Sequence, residues 1–137
     1  MSKAGIYTVN SGAQAIAVGG VINLGTINRR FGRECCEPVI DLSGASITLN
    51  EPGYYDIDVA VTALPTAAGP VTIAVFQDGA AVPGSTNTTT AAAAGNPVNV
   101  VSLPLVRVRC GSASNISVVL VNGAGSIANI SVKVLKV

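Results

Sequence analysis

The chain has 137 residues, of which 11% are charged and 49% apolar, with a formal net charge of +1 and no histidine. So even a charge balance attracts neither nucleic acid nor an anionic membrane surface, both of which reward clustered Lys and Arg. The missing histidine removes Ser-His-Asp and Cys-His catalysis, so no enzyme is expected.

One domain spanning 1–137 is expected, large enough to bury roughly two-thirds of its unfolded surface without staples. No apolar run is long enough to cross a bilayer as a helix, and no basic start leads into an apolar signal core. The expectation is therefore synthesis in the cytosol and solubility there. Ordinary soluble domains carry about 25% charged residues. A chain this poor in charge, with a mean hydropathy of +0.55, is expected to hide part of its surface in an assembly.

The apolar residues are mainly Val, Ile and Ala, and no capped helical period persists for three turns, so the chain reads as all-β. Strands are expected near 5–9, 13–18 and 20–27. Residues 1–40 either add strands to the domain or form an arm that docks elsewhere. The densest charge cluster follows: Arg29, Arg30, Arg33, Glu34, Glu37 and Asp41 around Phe31 hold six of the fifteen charged residues. It reads as a loop. Arginine forks suit carboxylates at interfaces, which makes Arg29, Arg30, Phe31, Arg33, Glu34 and Glu37 candidate interface residues. The alternative is a solvated loop that keeps an assembly soluble. Cys35, Cys36 and Cys110 form no CxxC pair and no zinc spacing; in a reducing compartment buried or semi-buried free thiols are expected, the alternatives being a vicinal Cys35–Cys36 disulfide or a bridge from either to Cys110.

Strands are next expected at 39–42, 46–49 and 54–63, the last entered through a turn in the segment from Glu51 to Thr62. Pro52 and Gly53 mark a turn, because proline presets its second position and glycine accepts a positive φ. Beyond it Tyr55, Ile57, Val59 and Val61 point one way, into a core, while Asp56, Asp58 and Ala60 point the other. Two carboxylates are too few for a calcium site, so no metal or cofactor is expected. Arg107 and Arg109 share one face of a later strand. An ion-pair ladder with Asp56 and Asp58, across a sheet or a subunit boundary, is expected.

A strand at 70–77 runs into the hairpin turn Asp78–Gly79. Residues Gly84 to Pro97, uncharged and rich in Thr and Ala, read as a long exposed loop with a contact role. In a strand at 98–109, Pro104 marks an edge or bulge, and the apolar phase slips near Val100 and Val101. The segments 115–121 and 129–136 resemble each other and read as two consecutive core strands, joined through the turn Gly123-Ala124-Gly125.

The turn and strand Glu51 to Thr62, the strand Val71 to Phe76 and the run Gln77-Asp78-Gly79-Ala80-Ala81-Val82-Pro83-Gly84-Ser85 resemble the jelly-roll heads of the tumour necrosis factor and complement globular-head superfamily. The bacterial and phage branch, which includes heads of collagen-like spore-surface proteins and phage structural proteins, is most similar. Val108-Arg109-Cys110-Gly111 and the closing strand Ile130 to Val137 add to the likeness, which covers about residues 40–137. The resemblance implies a two-sheet antiparallel jelly-roll sandwich of about ten strands, with 41–137 as the head, assembled as a homotrimer with apolar residues along its axis. No Gly-x-y triplets precede the head, which departs from the stalked spore-surface proteins. The function so implied is a non-enzymatic phage virion component, a capsid decoration or short head fibre made in the host cytoplasm and docked to other virion proteins. The alternative is a trimeric head on a bacterial spore or cell surface that binds a receptor or glycan.

Overall fold

The computed structural model describes residues 3–32 and 38–137. Thirteen strands make two antiparallel sheets, and no helix occurs among the described residues. The first sheet is built from β1 (Gly5–Asn10), β3 (Thr26–Phe31), β6 (Gly53–Pro65), β10 (Val98–Ser102) and β13 (Gly125–Lys136), in the order β10-β6-β13-β1-β3. To it are added β2 (Gln14–Ile16), which pairs with β13, and β11 (Leu105–Val108), which pairs with β6. The second sheet holds β4 (Ile40–Ser43), β5 (Ser46–Leu49), β12 (Ser114–Asn122), β7 (Gly69–Gln77) and β8 (Ala80–Ala81) in that spatial order, with β9 (Asn87–Ala91) on β7. This is the two-sheet jelly-roll sandwich expected, with three more strands than the count of ten, two of them only two or three residues long.

The core lies between the sheets and follows the period of two. In β6 the alternation is unbroken, with Tyr55, Ile57, Val59, Val61 and Ala63 buried and Tyr54, Asp56, Asp58, Ala60 and Thr62 on the opposite face. Gly53 enters the strand at φ 144°, a region open to glycine. The repeated segments near the C-terminus do not pair with one another. β12 lies in the second sheet and β13 in the first, so Ile116, Val118 and Leu120 enter the core from one side and Ile130, Val132 and Val134 from the other. The chain crosses at Gly123, where φ is 85° and a Cβ would stand 2.8 Å from the Pro70 carbonyl oxygen.

Several expectations are corrected by tertiary pairing. The strand expected at 20–27 is an irregular segment: Val21 bridges Val119, the backbone of residues 19–22 bonds to β12, and Ile22 and Leu24 are fully buried. The chain therefore leaves the first sheet after β2, fills a place on the second, and returns as β3. β3 also carries Arg29, Arg30 and Phe31, which were expected in a loop. Arg33, Glu34, Cys35, Cys36 and Glu37 lie outside the described residues. Within the segment expected as a long loop, Asn87–Ala91 pairs with β7 as β9, tied by Thr72 Oγ1 to Thr88 Oγ1 at 2.8 Å. The continuously exposed loop is limited to residues 92–97, with Gly84, Thr86, Thr88 and Thr90 exposed singly before it.

Two short sequence signals have clear structural causes. Asp78 (φ 52°) and Gly79 (φ 86°) form a two-residue turn whose left-handed backbone matches the twist of the flanking strands β7 and β8. In Val82-Pro83-Gly84-Ser85 the serine is wholly buried; its Oγ accepts from the Val75 N–H at 3.1 Å and lies 2.7 Å from the Val82 carbonyl oxygen, to which it donates. The hydroxyl thus replaces the strand pairing that β7 lacks between β8 and β9. Removing it leaves a buried N–H without a partner, so Ser85→Ala is expected to cost about 1–3 kcal/mol in urea unfolding.

Tyr55 is buried to its ring edge, and its hydroxyl donates to the Glu51 carbonyl at 2.7 Å. Burial pushes this phenol above its ordinary value of 10.0, and the nearby Glu51 carboxylate adds to the rise. A folded value above the unfolded one means stability fully present below about pH 10 and lost as pH climbs through the folded value. Unfolding free energies measured on either side of that pH are expected to fall in the native chain, and to fall less in Tyr55→Phe.

Candidate functional site

The first sheet has one face in the core and one face bare, and the bare face can be read in rows across the strands. The register sets Val101 opposite Ala60, Ala60 opposite Ser131 and Ser131 opposite Val9, a neutral row of small and apolar side chains. One step along the strands, Asp58 lies opposite Lys133, Lys133 opposite Tyr7 and Tyr7 opposite Arg29. The next row places Leu105 opposite Asp56, Asp56 opposite Leu135, and Leu135 opposite Gly5, which faces Phe31. Tyr7, Phe31, Tyr54, Val101, Leu103 and Leu105 are all exposed, Leu103 and Leu105 at 65% and 60%. A shallow cavity of about 210 Å³ opens among Tyr7, Ala60, Val101, Leu103 and Lys133.

Local sequence accounts for this face. Val100 points inward and Val101 outward, and the even residues from Val98 to Val108 stay buried throughout, so the expected slip of phase does not occur. Pro104 instead separates β10 from β11 along the edge next to β6, and its carbonyl accepts from the Ile57 N–H at 3.1 Å. Gly5 is needed on the outward face: a Cβ there would meet Phe31 Cε1 at 2.2 Å and Leu135 Cδ2 at 2.7 Å. The phenylalanine and leucine close over the glycine and extend the apolar surface to the β3 edge.

The charged candidates sort differently from the expected ladder. Asp58 pairs with Lys133 at 3.2 Å, not with an arginine. Asp56, between Leu105 and Leu135, has no ion pair within the described residues, and Arg107 lies opposite Tyr54 with its guanidinium carbon 5.9 Å from the ring centroid. Among the described residues of one chain the Asp56/Asp58 to Arg107/Arg109 ladder is therefore not formed: Lys133 of β13 takes Asp58, and the register sets Asp56 between two leucines and Arg107 opposite Tyr54. Arg30, opposite Ile6, reaches across the open edge of the sandwich to Asp41 of β4 at 2.7 Å. Arg29 stays on the bare face beside Tyr7 and lines a small slot with Phe31. Sequence reasoning missed Tyr7, Val101, Leu103 and Leu105. The doubled valine at Val100–Val101 and the Leu103-Pro104-Leu105 run are their signals.

A second concave feature lies at one end of the sandwich, where the turn after β7 meets β11 and the start of β12. It is an open hollow of about 460 Å³, lined by Arg107, Arg109, Ser112 and Ser114 from one side and Gln77 and Asp78 from the other. Gln77 Nε2 donates to the Arg107 carbonyl at 2.9 Å and to Ser114 Oγ at 3.2 Å, which ties the two sheets at the cavity floor. No group of three His, Cys, Asp and Glu side chains is assembled among the described residues.

No protein-family profile matches the sequence, and no curated protein does. Solved structures are similar in fold. An Eiger tumour necrosis factor from S. frugiperda superposes with a TM-score of 0.70 at 12% identity, covering 98% of this chain and 91% of that one. The globular domain of zebrafish complement 1qA gives 0.68 at 4% identity, covering 94% of each chain. PRD1 vertex protein P5 gives 0.55 at 14% identity, covering 98% of this chain and 96% of that one. The chain is a jelly roll of the tumour necrosis factor and complement-head type, a fold that includes a phage vertex protein.

The Asp58–Lys133 pair is partly exposed, with side-chain exposures of 33% and 51%. Solvent screening keeps such a pair to about 1 kcal/mol or less. Asp58→Asn is expected to change the unfolding free energy by no more than that.

Proposed function

We propose that the protein is a non-enzymatic structural component of a phage virion, a capsid decoration or short head fibre, and that it assembles as a homotrimer through the bare face of the first sheet. The observation that carries this reading is the row Val101, Ala60, Ser131 and Val9, flanked by Tyr7, Leu103 and Leu105, on a face that the fold leaves uncovered. Large exposed side chains concentrated on one sheet face call for a covering surface. The occupant is a second and third copy. The face carries both signs, with Asp58 and Lys133 already paired, so copies approach without net repulsion.

The low charge of the whole chain agrees with a surface partly lost to assembly. The chain surface of 6728 Å² is close to the roughly 6,600 Å² expected of a folded monomer of this mass, so the apolar excess does not come from loose packing. The virion assignment is supported by the fold shared with PRD1 vertex protein P5 over nearly the full length of both chains. The absence of histidine supports a role without acid-base chemistry. Asp56, which pairs with no cation among the described residues, and Arg29 at the β3 edge are the charged groups that neighbouring copies or other virion proteins would meet.

Sedimentation at micromolar concentration is expected to give three times the 13.6 kDa chain mass. Val101→Lys, exposed in the single chain and therefore compatible with folding, is expected to yield folded monomer. A wild-type monomer under the same conditions would remove the assembly, and failure of the trimer to bind purified capsids would remove the virion role.

A further inference from the structure

The cavity at the end of the sandwich has a chemistry of its own. Arg107 and Arg109 stand two residues apart on the same side of β11 and its extension, and among the described residues neither guanidinium has a carboxylate partner. Arg107 is exposed and makes two local contacts. Its guanidinium rests by the Tyr54 ring and its carbonyl is fixed by Gln77. Two like charges lining one cavity gain by receiving an anion, and the planar forks of arginine match a carboxylate with two parallel hydrogen bonds.

We propose that this cavity binds a sugar carboxylate, either free or at the end of an acidic glycan. Its volume of about 460 Å³ lies in the range of small-molecule sites, about 300–1,000 Å³, and exceeds what one inserted side chain would fill. The charge selects a monoanion. Asp78 lies on the rim, one of its oxygens accepting the Asn115 N–H at 2.9 Å, and its carboxylate reduces the two arginines to a net of one positive charge. A carboxylate balances that charge, whereas a dianionic phosphate monoester overshoots it beside Asp78.

The remaining lining suits hydroxyl groups and a sugar ring. Ser114 is only 5% exposed, and its oxygen accepts from Gln77, which leaves its own proton to be donated into the cavity. Ser112, exposed at the mouth, adds a second hydroxyl. Val82, Pro83 and Leu105 supply apolar walls against which the C–H faces of a ring can lie. The site does not rest on the trimer or on the virion role.

The test is a nuclear magnetic resonance titration of the full chain with glucuronate, with glucose, acetate and glucose 6-phosphate as controls. Glucuronate is expected to shift the Gln77 side-chain amide and the backbone signals of Arg107, Arg109, Ser112 and Ser114. Glucose and acetate, each lacking half of the recognised group, are expected to bind at least about tenfold more weakly, as is Arg109→Gln with glucuronate, the loss typical of a charge-assisted contact. Arg109 is exposed beyond the strand end, so this variant is expected to keep the native unfolding midpoint and mass. Arg107→Lys, which keeps the charge but loses the fork, is expected to weaken binding without altering the fold. A uronic-acid oligosaccharide that binds more tightly than glucuronate identifies a glycan end, and equal binding a free sugar; either supports the site. Absence of shifts at these residues, equal binding of glucose, tighter binding of glucose 6-phosphate, or full affinity in Arg109→Gln would each overturn it. A monomer that still binds glucuronate would leave the site standing and remove only the assembly.

Discussion

The pairing of β6 with β13 is the interaction on which the rest of the molecule depends. Their ladder runs from Gly125 opposite Pro65 to Lys136 opposite Tyr55, with one shift of register between Ile127 and Asn129. β13 also carries β1 along its other edge, so the last strand of the chain holds the first strand and the middle one together. The sheet is incomplete until the C-terminal residues are in place, and Lys136 seals them with a largely buried ion pair to Glu51 at 3.2 Å. β6 alternates throughout and β13 does so beyond its shift of register, from Asn129 onward, so their outward residues become the surface of the protein. Ala60, Ser131 and Asp58 are small or short, and they leave that surface smooth enough for another sheet to lie against it.

The two sheets have different relations to water. The second sheet buries Thr72 and Ala74 as well as the core-facing Val71, Ile73 and Val75, so β7 is covered on both faces. The first sheet leaves its outward aromatic and aliphatic residues open. The bare face and the polar cavity at the sandwich end adjoin at Leu105, and at the cavity Gln77 bridges the sheets while Arg107 and Arg109 form no ion pair among the described residues. In the proposed roles, the apolar row would supply area to be covered and the two arginines would orient an anion.

Much of the fold was legible in the sequence because a half-buried strand repeats every two residues. Tyr55, Ile57, Val59 and Val61 could be assigned a common face from spacing alone, and Asp78–Gly79 named its own turn through the backbone it tolerates. The candidate site was less legible. Arg29, Arg30 and Phe31 read as a loop because charge masks alternation, yet β1 recruits them into a strand. Asn87–Ala91 read as low complexity because threonine and alanine carry no apolar period, yet β7 offers an unpaired edge that they fill.

Composition and periodicity by themselves determined an all-β chain, one strand with two chemically distinct faces, the position of its turns, and a shortage of charge that asks for an assembly. These are local properties or averages, and each residue carries them wherever it is placed. Tertiary structure alone decided which strands became neighbours, and hence that Asp58 meets Lys133 and not Arg107, that Val101 joins Ala60 and Ser131 in one apolar row, and that Arg107 and Arg109 share a cavity with Ser114 and Gln77. The physical reason is that a strand's pattern specifies which face is apolar but not which strand lies beside it. That choice is made by register and by the topology that brings residues far apart in the chain into one row.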